Sequence, residues 1–415
     1  MKRWVSSAIF LMFLYSVSAS SAAANTLCVN KAGHFGCYKT ISAAVAAASP
    51  NDLIQVTPGV YKEDVVIGEP LTLVAAIPRT AIVDATGLSN GFYIDGFDHH
   101  GLSGVTVSGF VVKNATNEGI LITNASMVTV SGNYLTGNDA GLDSGCAGIQ
   151  PFEVDEAFDC GEGIHLSAVD HSTIANNRVE GNAGGILISD DSGPTFNNVI
   201  EGNSVIGNPF DCGITLASHP SSAYTVGITH NTISGNISDH NGYQEPGAGA
   251  GVGIFSAGPG GEVSGNVIIN NTLTRNGLPG VAFHSHDPFD DLNDNVIVGN
   301  RISGNGADTA DALTPGTTGI NVFGASPITG TIITENVITG QDDDIVVKTT
   351  GHVEAHYNQL LGGTGVVNVN ANGSGFGTVN ASLNWWGCPA GPGAPRCSSV
   401  GGPDIVFAPV LLSPF

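Results

Sequence analysis

Short apolar segments separated by polar turns recur along the chain from about residue 116. Each segment opens with Gly, continues with alternating apolar and small residues, and closes with an Asn-rich phrase. Where no insertion intervenes, the spacing is 22 residues, as from Gly163 to Gly185 and from Asn336 to Asn358. Three short strands fit this length, and alternate residues then point inward and stack on the next coil. The opening glycines are Gly119, Gly163, Gly185, Gly213, Gly251, Gly280 and Gly319.

The repeat predicts an all-β solenoid whose coils bury their apolar face only by stacking. Asn tolerates a left-handed turn, and its amide can bond to the Asn of the next coil. A β-propeller does not fit, because its blades run to about 40 residues and carry aromatic signatures that this chain lacks. Near the start, Ile41 and Val45 form the apolar stripe of a short helix that can cover the end of the core.

Two segments carry a resemblance to the right-handed parallel β-helix family over roughly residues 40 to 390. Residues 40–48, followed by the strand-like residues 52–61, resemble that family's capping helix and first strand. The phrase Asn384-Trp385-Trp386-Gly387 resembles the last coil of many secreted β-helix proteins. The resemblance implies a right-handed parallel β-helix with a short N-terminal capping helix, within the secreted, pectate-lyase-like superfamily.

This interpretation divides the chain into four parts. Residues 1–24 form a signal peptide, 25–115 the N-terminal cap and first coils, 116–372 the coils with the candidate active face, and 373–415 the C-terminal cap. The leader has a basic start at Lys2 and Arg3, an apolar core and a small-residue end at Ala24. Its apolar run is short for a membrane anchor, and no second run of spanning length follows. We therefore expect a secreted or periplasmic protein without a membrane span.

Charge and cysteine content agree with export. The formal net charge is −24, which excludes nucleic acid and anionic membranes as partners, since both require basic patches. Six cysteines pair by proximity into short loops, as expected in an oxidising compartment. The expected pairs are Cys28–Cys37, Cys146–Cys160 and Cys388–Cys397. The remaining Cys212 is expected to be a buried coil residue.

Four of the 12 His residues fall on one outward face when the strand openings are aligned. After the opening Gly, the second, fourth and sixth residues point outward, which places His165, His219, His284 and His286 on that face. The phrase His284-Ser285-His286-Asp287 directs two imidazoles to one partner, which suits proton transfer or a Cu or Zn site. Polar residues on a solvated sheet are the alternative.

We expect His284 or His286 to act as general base or acid with Asp287 beside them, while His219 and His165 position the substrate. Asp190, Asp191, Phe255 and Phe323 are expected to contact substrate on the same face. Some β-helix mannuronan epimerases and related lyases carry a Gly-aliphatic-Asp-Pro-His-Asp phrase on the equivalent strand. His284 matches its His, but Ala282, Phe283 and Ser285 replace Asp, Pro and Asp, so the resemblance implies a site location rather than a mechanism.

Insertions between coils are the second candidate feature. The segment between the coils of Gly119 and Gly163 holds seven carboxylates, of which Asp155, Glu156 and Asp159 are the expected ligands of Ca²⁺. A solvated acidic loop is the alternative, because no calcium-loop spacing is matched. Insertions around residues 244–247 and 308–311 also precede outward-facing strands and could form walls beside them.

Cations are scarce in the repeat. Arg178, Arg275, Arg301 and Lys348 are expected to lie outside the outward columns, so a neutral glycan is as good a substrate as a polyuronate. Three hypotheses remain open: an enzyme acting on an extracellular polysaccharide as lyase, epimerase or hydrolase, a non-catalytic protein that binds glycan or metal, and a His-ligated Cu or Zn metalloenzyme. A capped solenoid of this length is expected to be a monomer.

Overall fold

The computed structural model describes residues 24–139, 161–220, 226–244, 249–256 and 258–415. Within these ranges the chain forms a parallel β-helix with three long sheets and one short α-helix, Ile41–Ala47, preceded by a 3-10 turn, His34–Gly36. Each coil runs through the three sheets in turn, here named sheet A, sheet B and sheet C. This arrangement confirms the predicted fold class.

The strands of the described residues are as follows. Sheet A contains Thr26–Val29, Leu53–Val56, Thr72–Ala75, Thr106–Ser108, Thr129–Ser131, Thr173–Ala175, Val199–Glu201, Thr232–Ser234, Val267–Ile269, Val296–Val298, Thr331–Thr334, His352–His356, Thr378–Asn380 and Ile405–Val406. Sheet B contains Gly59–Tyr61, Ala81–Asp84, Val111–Lys113, Tyr134–Thr136, Arg178–Glu180, Ser204–Ile206, Ile237–Asp239, Thr272–Thr274, Arg301–Ser303, Val337–Thr339 and Gln359–Leu360. Sheet C contains Val65–Ile67, Phe92–Asp95, Ile120–Thr123, Glu162–Ser167, Gly184–Ser189, Ile214–Ser218, Val252–Ser256, Val281–Ser285, Thr318–Gly324, Asp343–Lys348, Thr364–Asn368 and Ser399–Gly401. A short fourth sheet contains Thr195–Phe196, Ile228–Thr229 and Val263–Ser264.

The inward residues of the three sheets form one continuous core. In sheet C, Ile164 and Leu166 pair in register with Ile186 and Ile188, and all four are buried in the main apolar cluster. The same alternation continues through neighbouring coils, because parallel strands in register place equivalent side chains directly above one another. The predicted inward positions of the repeat are therefore confirmed.

Rows of asparagine tie successive coils together at the three turns. The Oδ1 atom of Asn236 accepts hydrogen bonds from both the backbone N–H and the Nδ2 of Asn203, at 2.9 and 3.0 Å. Its own Nδ2 donates to the Ile200 carbonyl at 2.9 Å. Each Asn follows a residue in the left-handed region, such as Gly235 at φ 61°. The row thus satisfies backbone groups that the turn would otherwise leave unpaired inside the protein.

The sequence predicted such ladders, and the structure contains three of them. Between sheets A and B the row is Asn133, Asn177, Asn203, Asn236, Asn271, Asn300, Asn336, Asn358 and Asn384. Between sheets B and C it is Asn138, Asn182, Asn208, Asn241, Asn276 and Asn305. Before sheet A it is Asn198, Asn231, Asn266 and Asn295.

The opening glycines of sheet C are required by close backbone approach. A Cβ atom at Gly185 would lie 2.0 Å from the carbonyl oxygen of Gly213 in the next coil. One coil departs from this pattern, since the register places Asp344 beside Gly319 and Gly365. The Asp344 side chain is fully buried, and burial raises its pKa to about 8 although the Gly362 N–H donates to it at 2.9 Å.

Both ends of the solenoid are closed as predicted. Ile41 and Ala44 of the helix are buried and Val45 packs at the edge of the core, while Thr40 caps the helix through a hydrogen bond from the Ala43 N–H. At the other end Trp386 is fully buried and Trp385 is half-buried. The expected disulfides Cys28–Cys37 and Cys388–Cys397 are formed, whereas Cys146 and Cys160 lie outside the described residues.

Cys212 is buried and unpaired within the described part of the chain, as predicted. The proposed leader, residues 1–24, lies outside the described residues except for Ala24. None of the helices described is long and apolar enough to cross a bilayer.

We predict that Asn198→Ala lowers the free energy of unfolding by about 1–3 kcal/mol, because it leaves the buried N–H of Ser172 without its acceptor and removes one of the two donors to the Val169 carbonyl. Urea unfolding followed by circular dichroism measures the change. The exposed neighbour Asn197, at φ 56°, provides the control, since Asn197→Gly keeps the left-handed turn. Equal losses in the two variants would contradict a specific role for the ladder.

We predict that the Asp344 carboxyl makes stability fall as pH rises from about 4 to about 8. Its pKa in the folded protein, about 8, exceeds the unfolded value of 3.8, so the folded state holds a proton that the unfolded state has released. Ionisation of the unfolded state therefore favours unfolding increasingly through that window, and the loss levels off once the folded state also ionises, above about pH 8. Asp344→Asn should abolish this part of the pH dependence. The urea midpoint of the variant should therefore exceed that of the wild type by more at pH 8 than at pH 5. A parallel pH profile in the variant would contradict the assignment.

Candidate functional site

The outward face of sheet C carries the residues singled out in the sequence. The register aligns Ala217, Phe255, His284 and Phe323 in successive coils, as predicted. It also places Lys348 beside Phe323, in the same column. The expectation that Lys348 lies outside the columns was wrong, because its coil opens with Asp344 instead of Gly and so escapes the repeat pattern.

Most of this face is enclosed by the protein itself. His165 is 0% exposed, His219 4% and His284 7%, whereas His286 is exposed. A small apolar cluster of Cys212, Ala250, Leu278 and Ala282 lies outside the main core. The four histidines therefore do not line one open groove.

Instead, the histidines fall into two groups separated along the solenoid. The His165 cluster consists of Glu118, Glu162, His165, Asp191 and His219. The His284 cluster consists of His284, His286, Asp308, Asp311 and Lys348, together with the rings of Phe255 and Phe323. The strand Val252–Ser256, which supplies Phe255 to the His284 cluster, separates the histidines of the two groups in the order of sheet C.

In the His284 cluster an imidazole contacts a buried carboxylate. His284 Nε2 lies 2.7 Å from Asp308 Oδ2, and Nδ1 lies 3.8 Å from Asp311 Oδ2. The first contact is close but not aligned as a hydrogen bond, so it acts as an ion pair when His284 is protonated. Burial alone would raise the pKa of Asp308, but the contact with His284 and its charge, with two backbone N–H groups, lower it below its usual value.

The insertion at residues 308–311 was expected to wall this face, and it supplies both carboxylates of the cluster. Asp308 is fully buried, and the Asp311 N–H donates to its Oδ1 at 2.9 Å. Sequence analysis assigned Asp308 no catalytic role, because a contact with a residue 24 positions away cannot be read from the repeat pattern. Asp287 is half-buried in the turn after the strand, and its N–H donates to Asp290 Oδ2 at 3.2 Å.

Two phenylalanine rings flank the exposed imidazole. The His286 ring centroid lies 5.4 Å from that of Phe255 and 5.9 Å from that of Phe323, and 5.7 Å from that of His284. Phe255 is half-buried and Phe323 is buried. The two rings come from the strands on either side of the His284 strand, about 10 Å apart along the axis.

Lys348 adds a cationic group to this cluster. Its Nζ donates to the Ala312 carbonyl at 2.8 Å and lies 5.2 Å from the Phe323 ring centroid. Burial lowers the pKa of Lys348, and the negative charge of Asp308 opposes that shift. The side chain is nearly enclosed at 4% exposure, so it acts on its neighbours through charge.

The His165 cluster is a buried row of alternating acids and imidazoles. His165 Nδ1 lies 3.8 Å from Glu118 Oε1, and its Nε2 lies 2.8 Å from Ser189 Oγ and 3.8 Å from Asp191 Oδ2. Asp191 Oδ1 lies in turn 2.7 Å from His219 Nδ1. Sequence analysis missed Glu118, although the repeated phrase Glu-Gly-Ile at residues 118–120 and 162–164 was the signal that could have found it.

Asp190 has surroundings unlike those of its neighbour Asp191. It is fully buried and accepts hydrogen bonds from Ser218 Oγ, the His219 N–H and the Gly227 N–H, at 2.7, 2.7 and 2.8 Å. Burial raises its pKa, while these three donors oppose the shift. Such bonding fits a structural anchor for the turn after the strand. The expected calcium ligands Asp155, Glu156 and Asp159 lie outside the described residues.

Among the described residues, two groups of side chains have donor atoms close enough together for a metal ion. They are His284, His286 and Asp311, and Glu118, Glu162 and His165; within each group the donor atoms lie within 4.8 Å of one another. The first group contains two imidazoles and a carboxylate, which suits Cu or Zn. The second is entirely buried.

Comparisons with known proteins agree with the fold. Residues 83–287 match the family described as "Right handed beta helix region", so the chain is a right-handed parallel β-helix protein, as its resemblance implied. No curated protein sequence matches it.

Solved structures are similar at low sequence identity. The Dettilon tailspike protein (gp208) shares 13% identity with a TM-score of 0.58, covering 88% of this chain and 63% of its own. A double mutant of the tailspike of E. coli bacteriophage HK620, in complex with a pentasaccharide, shares 12% sequence identity with a TM-score of 0.57. The match covers 88% of this chain and 63% of the tailspike chain. The catalytic unit of the GH87 alpha-1,3-glucanase of Streptomyces thermodiastaticus strain HF3-3 shares 14% sequence identity with a TM-score of 0.52. The match covers 88% of this chain and 69% of the glucanase chain. The chain thus spans less than two thirds of either tailspike, and the likeness concerns the fold.

Proposed function

We propose that this protein is an enzyme acting on an extracellular polysaccharide, as a lyase, epimerase or hydrolase, with the His284 cluster as its acid–base centre. The observation that carries the proposal is the pairing of His284 with the buried Asp308 beside an exposed His286. A buried carboxylate orients an imidazole and stabilises its protonated form. The exposed imidazole is the one that substrate reaches first.

The two imidazoles have separate parts in this proposal. His284, held by Asp308, receives the proton that is removed from the sugar, while His286 exchanges protons with the substrate oxygen or with water. Imidazoles suit both tasks because their ordinary pKa lies near neutral pH. Asp308 does not touch substrate and acts as a positioning residue.

The rings of Phe255 and Phe323 support a carbohydrate ligand. Phe255 is half-buried and can contact a sugar unit next to one that lies over His286, while the buried Phe323 packs beside the His286 ring. Binding sites of this kind combine apolar surfaces with a few polar groups that set orientation.

Charge bears on the substrate class. The chain has a net charge of −24, which repels polyuronates at long range. Within this cluster Lys348 is the cationic group that is available to offset a sugar carboxylate. The substrate screen below separates acidic from neutral glycans.

The fold supports a polysaccharide ligand, and the disulfides support a location outside the cytoplasm. Tailspikes and an α-1,3-glucanase share the β-helix fold, and one tailspike was solved with a pentasaccharide. The disulfides Cys28–Cys37 and Cys388–Cys397 fit an oxidising compartment, which favours a secreted or periplasmic protein.

A His-ligated metalloenzyme is the second candidate. It is favoured by the donor atoms of His284, His286 and Asp311, which lie within 4.8 Å of one another. Two imidazoles and one carboxylate would hold Cu or Zn, and the metal would then act as a Lewis acid toward the substrate.

We predict that His284→Ala and His286→Ala each lower turnover of a responsive glycan by about 10²–10⁴-fold, the usual contribution of a general acid or base. A panel of neutral and uronate polysaccharides is assayed for new reducing ends, for unsaturated products and for epimerised residues by NMR. Asp308→Asn should lower kcat with little change in KM, since Asp308 acts through His284.

The control is His352→Ala, which removes an exposed His paired with Glu354 on sheet A, away from the cluster. It should leave turnover unchanged. Full activity in both site variants would contradict the proposal, and glycan binding without turnover by the wild type would assign the protein to the non-catalytic class.

We predict that chelation and Asp311→Asn leave turnover within a factor of a few of wild type. In the proposed mechanism only His284 and His286 transfer protons and Asp308 positions His284, so neither a metal nor the Asp311 carboxylate, which lies 3.8 Å from His284 Nδ1, takes part. The assay is run at a temperature where the chelated protein stays folded. Loss of activity in both cases, with recovery on adding Cu²⁺ or Zn²⁺ to the chelated wild type, would establish the metalloenzyme instead.

A further inference from the structure

Two glutamates of adjacent coils occupy the same position in the repeat. Each immediately precedes an opening glycine, and the register of Ile120 with Ile164 places Glu118 beside Glu162. Both side chains are 0% exposed. Side chains in register on neighbouring parallel strands lie about 4.8 Å apart, and like charges in such pairs destabilise a sheet.

Burial makes this pairing costly unless a cation accompanies it. A carboxylate taken out of water loses its hydration and must regain it from hydrogen bonds or an opposite charge. Glu118 Oε1 accepts from the Gly161 N–H at 3.2 Å, but Glu118 Oε2 accepts no hydrogen bond from any described residue. One buried acceptor atom of Glu118 is therefore without a hydrogen-bond donor among the described residues.

His165 completes the group and presents one ring nitrogen to it. Ser189 Oγ and the Asp191 carboxylate lie near Nε2, at 2.8 and 3.8 Å. Nδ1 is the ring nitrogen that lies near the glutamates, 3.8 Å from Glu118 Oε1, and a proton on Nε2, shared with Ser189 Oγ, is the tautomer in which Nδ1 can bind a metal ion. In metal-ligating histidines the ring nitrogen that does not bind the metal characteristically donates a hydrogen bond to a neighbouring acceptor.

We propose that Glu118, Glu162 and His165 form a structural site for a divalent transition-metal ion, Zn²⁺. Ca²⁺ and Mg²⁺ prefer sites made of oxygen atoms alone, whereas an imidazole with two carboxylates suits Zn²⁺. The ion would neutralise the stacked carboxylates. It is a different site from the calcium loop expected around Asp155.

The position of the group gives the ion a structural role. Glu118 precedes the strand Ile120–Thr123, and Glu162 begins the next strand of sheet C, after the 139–161 insertion. The bond from the Gly161 N–H to Glu118 already joins the end of the insertion to the earlier coil. A bound ion would fasten the base of the insertion and the two coils that flank it.

The test is a titration of the chelated full-length chain with Zn²⁺, by isothermal calorimetry and by thermal unfolding. The titration uses a His284→Ala, His286→Ala background, which removes the other candidate metal group. We expect one Zn²⁺ per chain and a melting temperature that rises with Zn²⁺ concentration. In the same background Glu118→Gln should weaken binding at least tenfold and reduce the thermal shift.

Ser189→Ala supports the test if Glu118→Gln does not fold. It removes only the partner of His165 Nε2 and should weaken Zn²⁺ binding about tenfold, the lower end of outer-shell effects. No Zn²⁺ binding in the double-variant background, or binding unchanged by both Glu118→Gln and Ser189→Ala, would overturn the proposal. The glycan activity proposed for the His284 cluster is unaffected by either outcome.

Discussion

The hydrogen-bonded asparagine rows fix the geometry on which the rest of this structure depends. Each amide joins the turn of one coil to the turns before and after it, as Asn236 does between Asn203 and Asn271. A coil that slipped by one residue would break several such bonds at once and turn its apolar residues outward. Equivalent positions of the repeat are therefore held one above another, whatever the length of the insertions between them.

This constraint explains how residues distant in sequence form compact chemical groups. Glu118 and Glu162 are brought side by side although an insertion separates them, and Phe255, His284 and Phe323 follow one another across three coils. The columns only bring side chains to the same face. What they can do there also depends on burial, since His165, His219 and His284 are enclosed whereas His286 is open to solvent.

The two clusters differ in the balance of charge and exposure, and so in the chemistry they favour. The His284 cluster combines a buried carboxylate, an exposed imidazole and a nearby lysine, and proton transfer to a bound ligand suits that arrangement. The His165 cluster is buried and contains two glutamates in adjacent coils, and this arrangement favours a bound cation that offsets their charge. Both proposed sites thus lie on sheet C, a few coils apart.

The sequence by itself determined the solenoid, its inward and outward positions, the asparagine ladders, the closed ends and two disulfides, because these follow from periodicity and local spacing. Only the tertiary structure decided which polar residues meet. Asp308 reaches His284 from an insertion of irregular path, and Glu118 meets His165 across another. The predicted position of Lys348 was wrong because Asp344 occupies the position at which other coils have the glycine that marks their start. Periodicity encodes where a side chain points, whereas contacts between loops and strands depend on how the insertions fold back.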